Sequence, residues 1–113
     1  MSQNLVLWIE HLKFIASIQD PMERNVRLKR FADNMEFFDA LKEIAINTMN
    51  MNVPLKITQK EKLRRYARTI RELADKKPKS KLKRKKLIEQ SGGFLPILIP
   101  LVASVIGEVL KNR

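Results

Sequence analysis

The chain has 113 residues, which is enough for one small domain with a single modest core. It contains no cysteine, so disulfides, thiolate nucleophiles and zinc sites with cysteine ligands are excluded. The formal net charge is +11, and the excess lies in one block: residues 56–86 carry fifteen Lys or Arg against three Asp or Glu, whereas residues 1–55 carry six against seven. Such a segregated block creates a local potential that attracts polyanions, either nucleic acid or anionic lipid.

Three helices are predicted in the N-terminal half of the chain. The first follows the three- and four-residue spacing of one buried stripe, formed by Leu5, Trp8, Ile9, Leu12, Ile15 and Ala16. The second begins at Asp20-Pro21-Met22-Glu23, where the aspartate can cap the helix and proline suits its first position. The third follows the similar pattern Asp33-Asn34-Met35-Glu36 and ends near Asn50.

A fourth helix is predicted from Thr58-Gln59-Lys60-Glu61, which has the form of a capping box. Its apolar stripe consists of Leu63, Tyr66, Ala67, Ile70, Leu73 and Ala74. The opposite face carries Lys60, Arg64, Arg68 and Arg71 at three- and four-residue spacing, so these cations can form a row that matches a phosphate backbone or an acidic partner. An ordinary solvated helix face is the alternative interpretation.

A run of eight cations without an acid follows this helix: Lys76, Lys77, Lys79, Lys81, Lys83, Arg84, Lys85 and Lys86. Self-repulsion predicts that the run stays extended until an anion neutralises it. Lysines that meet phosphates release counterions, so the run can bind nucleic acid without reading bases. It also fits a nuclear localisation pattern, and an anionic membrane or a solubilising linker are the other interpretations.

An apolar tail follows Gly92-Gly93, and no residue from Gln90 to Gly107 is charged. Two prolines interrupt the first half of this stretch, which favours a helix lying at a membrane interface over one crossing the bilayer. The residues predicted at such an interface are Phe94, Leu95, Ile97, Leu98, Leu101, Val102, Val105, Ile106 and Val109. The alternative is a helix that completes the core of the preceding ones.

The order of a basic run, Gly92-Gly93 and the segment from Phe94 to Gly107 resembles the C-terminal part of the adenovirus core protein X (mu) precursor, over about residues 76–110. It is also similar to the X-like proteins of adintoviruses and Maverick elements, more weakly from Val53 onward. The resemblance implies a protein of the virion and host nucleus whose basic part condenses double-stranded DNA. It further implies a membrane-active tail and cleavage by a viral protease at Gly92, Gly93 and Phe94.

Nothing in the sequence forms a catalytic constellation. His11 is the only histidine, and helix capping accounts for the carboxylates of Asp20, Glu23, Asp33 and Glu36. We therefore expect a binding protein without metal or cofactor rather than an enzyme. Besides DNA condensation, the sequence leaves open a membrane-active protein and a helical adaptor that binds a partner through Leu7, Phe14 and Ile18.

The predicted fold is all-α, a small helical bundle with a basic linker and an apolar C-terminal helix. Residues 1–75 are expected to form a four-helix N-terminal domain, and residues 76–91 a basic linker that can be partly helical. Residues 92–113 are expected to form the Gly-Gly hinge and the apolar amphipathic tail. Its partners are expected to be double-stranded DNA, an anionic membrane and a viral protease.

Overall fold

The computed structural model describes residues 3–50, 53–75 and 79–111, with side chains up to residue 107. Within these residues, seven α-helices and one 3-10 turn follow one another without a strand. Their bounds are α1 Gln3–Ser17, α2 Pro21–Lys29, α3 Met35–Met49, α4 Ile57–Leu63, the 3-10 turn Arg64–Tyr66, α5 Ala67–Ala74, α6 Lys81–Ser91 and α7 Leu95–Lys111. The predicted all-α fold is confirmed.

The starts of α2 and α3 are set by side chains that accept hydrogen bonds from free backbone N–H groups. Asp20 accepts from the N–H of Met22 at 3.0 Å, and Pro21 occupies the first position of α2, as predicted. At α3 the cap is Asn34, whose Oδ1 accepts from the N–H of Phe37 at 3.0 Å. Asp33 was expected to act as a cap, and it instead forms an ion pair with α6.

The fourth predicted helix is divided into α4, the 3-10 turn and α5. Its predicted capping box at Thr58 is wrong, because α4 begins earlier, with Lys56 as N-cap and the Lys56 N–H donating to Gln59 Oε1 at 2.8 Å. A 3-10 turn has three residues per turn instead of 3.6, so three such residues rotate the following helix by about 60° relative to a continuous α-helix. The faces of α4 and α5 are therefore offset.

Part of the basic run folds into α6. Ser80 caps this helix by accepting from the N–H of Lys83 at 3.1 Å, and Leu87 and Ile88 near its C-terminal end are buried. The extended state predicted for the run is therefore wrong for residues 81–86, because apolar burial at one end and a side-chain cap at the other stabilise the helix. Lys76 and Lys77 lie outside the described residues.

One hydrophobic core includes side chains from α1 to α7. Helix α1 packs between α3 and α7, α3 packs on α5, and α6 contacts both α2 and α5. The radius of gyration is 13.2 Å, close to the value of about 13 Å for a folded chain of about 100 residues. The division of the chain into a domain, a linker and a tail stays a prediction, although α7 is folded onto α1 in this structure.

Helix α7 is nearly perpendicular to α6, since the chain bends by 85° between the two helices. Among the residues predicted at a membrane interface, five are buried in the core: Phe94, Leu95, Leu98, Val102 and Ile106. Ile97, Leu101 and Val105 are half-buried, and the side chain of Val109 lies outside the described part. The sequence had left open whether this helix completes the core, and in this structure it does. Membrane contact stays a prediction, and it would require α7 to leave this position.

Candidate nucleic-acid interface

A groove between α5 and α6 brings together three of the predicted DNA-binding cations, Arg68, Lys83 and Lys86. We call it the α5–α6 groove; its volume is about 210 Å³, and it is lined by Arg68, Thr69, Glu72, Lys83, Lys86, Leu87 and Gln90. The two helices are held together by buried leucines, Leu73 on α5 and Leu87 on α6. Packing thus places cations that lie fifteen or more positions apart in sequence around one polar depression.

Glu72 lies at the centre of this groove and pairs with a cation on each side. Its Oε1 is 3.3 Å from Arg68 Nε, and its Oε2 is 3.3 Å from Lys83 Nζ. Hydrogen bonding from Lys83, together with the charges of Lys83 and Arg68, lowers the pKa of Glu72 below its ordinary value of 4.5. The carboxylate therefore stays ionised at neutral pH and occupies the place where a phosphate oxygen could bind.

The cations of α6 and of the segment before it differ in their availability to an anion. Lys85 and Lys86 are exposed, whereas Lys81 pairs with Asp33 at 3.4 Å. The Lys79 side chain is only 9% exposed, and its Nζ is 3.9 Å from Asp75. Arg84 is half-buried and donates a hydrogen bond to the carbonyl oxygen of Lys79. The roles of all these residues in DNA binding stay predictions. Lys85 and Lys86 differ from the others in being exposed without an ion pair to any of the described residues.

The predicted cationic row of the fourth helix is divided between two faces. Arg68, whose side chain is 88% exposed, lies on the α5–α6 groove. Lys60, Arg64 and Arg71 are exposed at a different depression of about 430 Å³. The rotation introduced by the 3-10 turn explains the division. A straight helix would have kept the four cations within one stripe.

The Gly-Gly segment predicted to be cleaved is folded between α6 and α7. Gly92 is buried, and its carbonyl oxygen accepts a hydrogen bond of 2.8 Å from Arg24 Nη1, whose Nε also donates to the Ile18 carbonyl at 3.1 Å. A Cβ added to Gly93 would lie 2.9 Å from Tyr66 Cζ and closer still to Cε1, so this backbone packs directly on the ring. Phe94 is completely buried. Cleavage stays a prediction, and a protease would need this segment unfolded.

Sequence reasoning missed several residues that define these surfaces. Lys62 and Arg65 are exposed beside Tyr66 in a third depression between α4 and α7, and their three-residue spacing was an available signal. Glu72 follows Arg68 by four residues, a spacing that predicts an ion pair on a helix. The contact of Arg24 with Gly92 spans 68 positions, and no local pattern predicts it.

The described residues were also compared with the requirements of a histidine site, a metal site and a membrane span. His11 is exposed and its ring lies 5.2 Å from that of Trp8, at the edge of the core. No group of three His, Cys, Asp or Glu side chains within the described ranges could hold a metal ion. None of the described helices is by itself long and apolar enough to cross a membrane; α6 with residues 95–107 of α7 has the length and composition only as a pair bent by 85°.

One known protein family matches most of this chain. The model of the adenovirus late L2 mu core protein (protein X) family matches residues 22–109. This range includes nearly all of α2 and of α7, the helices between them, the α5–α6 groove and the Gly-Gly segment. No curated protein and no solved structure matches the chain significantly. The resemblance to adenovirus protein X noted in the C-terminal sequence is thus confirmed, and it extends further toward the N-terminus than the sequence motifs indicated.

Proposed function

Because the chain belongs to the family of the adenovirus late L2 mu core protein (protein X), a viral core protein, we propose that it binds double-stranded DNA and condenses it in the virion. The observation that carries this proposal is the convergence of Arg68, Lys83 and Lys86 on one groove, with Lys85 exposed on the same helix. Phosphate groups are the ligands that such a cluster of cations binds best.

Binding is expected to depend on charge and not on base sequence. The exposed cations of α6 are mostly lysines, which act as point charges on phosphates. Base reading in the major groove requires side chains held in fixed positions against base edges, most often arginine, asparagine or glutamine. Each lysine that neutralises a phosphate instead releases counterions, so the affinity should fall steeply as salt rises. Condensation would follow from neutralising many phosphates at once.

The proposed location is the virion, with passage through the host nucleus. Residues Lys83 to Lys86 form a continuous stretch of four cations, which fits the pattern of a nuclear import signal. The role is that of a packaging protein without catalytic activity or cofactor.

A matched pair of triple variants tests the DNA proposal. Lys83→Gln, Lys85→Gln and Lys86→Gln remove three cations of α6. A control removes three exposed cations from the first 30 residues (Lys13→Gln, Lys29→Gln and Arg30→Gln). Retardation of random-sequence duplex DNA is measured over a salt series. Each lost phosphate contact should reduce the slope of log K against log salt by about 0.9. The α6 variant should therefore lose about 1.8 through Lys85 and Lys86, and up to about 2.7 where Lys83 exchanges Glu72 for a phosphate on binding.

The control variant has the same net charge and should keep most of the slope. Equal losses in the two variants would show that only total charge matters, and binding that is absent or insensitive to salt would refute the proposal altogether. Glutamine is a good helix former, and circular dichroism checks that α6 is retained.

Membrane activity of the tail and cleavage after Gly93 remain a second candidate function. The supporting feature is the apolar composition of residues 94–107 beside a cationic helix. Because α7 supplies buried side chains to the core, both activities would require its release. Leakage of a dye from anionic vesicles, compared between the intact chain and a peptide of residues 94–113, tests whether release is needed.

A further inference from the structure

The depression that carries Lys60, Arg64 and Arg71 differs in character from the α5–α6 groove. We call it the rimmed groove; its apolar floor consists of Met49, Leu55, Leu63, Ala67 and Ile70, and no acidic residue lines it. It lies between the end of α3 and the α4–α5 segment, and it is open to solvent. Apolar surface surrounded by cations is suited to a partner that presents an apolar side chain among carboxylates.

The same chain has such a surface on the face formed by α1 and α3. We call it the acidic patch; it is lined by Gln3, Asn4, Leu7, Glu36, Asp39 and Glu43. Leu7 is 69% exposed, and Glu36 and Asp39 are exposed. Among the described residues, neither Glu36 nor Asp39 takes part in an ion pair. Asn4 Nδ2 donates to the Glu36 carbonyl at 2.8 Å and fixes α1 on α3 here.

We propose that the acidic patch of one copy of this chain docks on the rimmed groove of another copy. Leu7 would enter the apolar floor, and Glu36 and Asp39 would face Arg64 and its neighbours on the rim. The two surfaces are complementary in charge. Each also has exposed apolar surface, which the contact would cover. The second copy is favoured over an unrelated partner because both halves of the contact are present on this chain.

The contact is heterologous, because it joins two different faces of the molecule. A pair of copies therefore keeps one free face of each kind, and the assembly grows into chains or rings of copies. Long-range repulsion between molecules of net charge +11 opposes association at low salt. At physiological ionic strength the Debye length is about 8 Å, so repulsion between whole molecules is screened while ion pairs in contact persist.

The proposal goes beyond DNA binding and does not depend on it. The contact uses Lys60, Arg64 and Arg71, whereas the α5–α6 groove with Arg68 and Lys83 lies outside it. Copies bound side by side on one DNA molecule would have a high effective concentration, so even a weak contact would link them. Association is nevertheless tested without DNA, so that its failure and a failure of DNA binding are distinguishable.

The experiment is sedimentation velocity of nucleic-acid-free protein over a concentration series at about physiological salt. Asp39→Lys disables the acidic patch and Arg64→Glu disables the rimmed groove. The average mass of the wild type should rise with concentration, and each variant alone should stay monomeric over a range at least tenfold higher. An equimolar mixture of the two variants should form dimers and nothing larger, because each copy retains one working face and the two retained faces match.

Charge reversals on α2, where Glu23 and Lys29 are exposed, provide the controls. Glu23→Lys is the control for Asp39→Lys, and Lys29→Glu is the control for Arg64→Glu. These controls should associate like the wild type. A wild type that stays monomeric, variants that associate as it does, or a mixture that remains monomeric would each overturn the proposal. Circular dichroism confirms that every variant is folded.

Discussion

Glu72 makes a specific prediction about DNA affinity, because it holds two of the cations that the proposed interface needs. Glu72→Gln removes the negative charge but keeps the size of the side chain. Arg68 and Lys83, both now 3.3 Å from its carboxylate, would then be free to pair with phosphates. We expect the variant to bind double-stranded DNA more tightly than the wild type, even though it loses two ion pairs of the folded protein.

The size of the gain can be worked from the number of cations released. An exposed ion pair contributes roughly 0.2–1 kcal/mol, so two new pairs with phosphate contribute roughly 0.4–2 kcal/mol. Since about 1.4 kcal/mol corresponds to a tenfold change, the binding constant should rise about twofold to thirtyfold. The slope of log K against log salt should steepen by up to about 1.8, that is, about 0.9 for each additional phosphate contact.

The control is Glu61→Gln, which makes the same change in net charge on the neighbouring helix α4. Glu61 is exposed, and no ion pair involves it within the described residues. Fluorescence anisotropy with a labelled random duplex, repeated at several salt concentrations, measures both variants. Equal gains for the two variants would refute the reasoning, because affinity would then follow total charge and not the release of Arg68 and Lys83.

The same substitution has a pH-dependent effect on stability. The pKa of Glu72 is lowered in the folded state, chiefly by the hydrogen bond from Lys83, so its ionised form stabilises the fold at pH values above the ordinary 4.5. This contribution is lost as the pH falls through the lowered pKa. The Tm of wild type should therefore exceed that of Glu72→Gln at neutral pH, and the difference should vanish in acid; a difference that is constant with pH would contradict the assignment.

Three further predictions concern the Gly-Gly segment and the tail. Gly93→Ala should destabilise the fold by about 1–3 kcal/mol, because the new methyl group meets the Tyr66 ring. Gly107→Ala has open space around the new methyl group and should stabilise α7 by about 0.5–1 kcal/mol. Urea unfolding measures both variants, and equal effects would rule out the close packing at Gly93. Arg24→Ala should cost about 1.5–3 kcal/mol, because charged hydrogen bonds to the Ile18 and Gly92 carbonyls are lost. Arg27→Ala, which removes a guanidinium from the face of the Phe14 ring, should cost about 0.5–1 kcal/mol. Similar losses in thermal unfolding would mean that the Gly92 contact is unimportant. The intact chain should release little dye from anionic vesicles, while a peptide of residues 94–113 should release it; equal leakage would show that the core does not retain α7.

The helix starts illustrate what the sequence can predict. Asp20 and Pro21 act within one turn of chain, so their local pattern was sufficient. Thr58 also had the local pattern, but the N-cap is Lys56, two positions before it, and α4 begins at Ile57. A capping pattern indicates that a helix begins nearby, while packing of the following segment decides which residue becomes the cap.

The candidate site was predictable in composition but not in arrangement. Apolar periodicity identifies the buried stripe of α7, but the same stripe suits a protein core or a membrane surface. Charge counting likewise identifies Lys81 and Lys83 as cations, although it cannot show that Asp33, before α3, and Glu72, on α5, pair with them. Such pairs form between distant positions, so they follow from the fold and not from spacing.

Cleavage between Gly93 and Phe94 would change how firmly α7 is held on the rest of the protein. At present α7 is held on α1 as part of the same molecule, so its effective concentration at that surface is in the millimolar range or above. Hydrolysis of the one peptide bond would turn this internal packing into an encounter between two separate molecules. A freed helix that dissociated in a dilute solution would seldom return, whereas inside a crowded particle it would rebind until the particle opened.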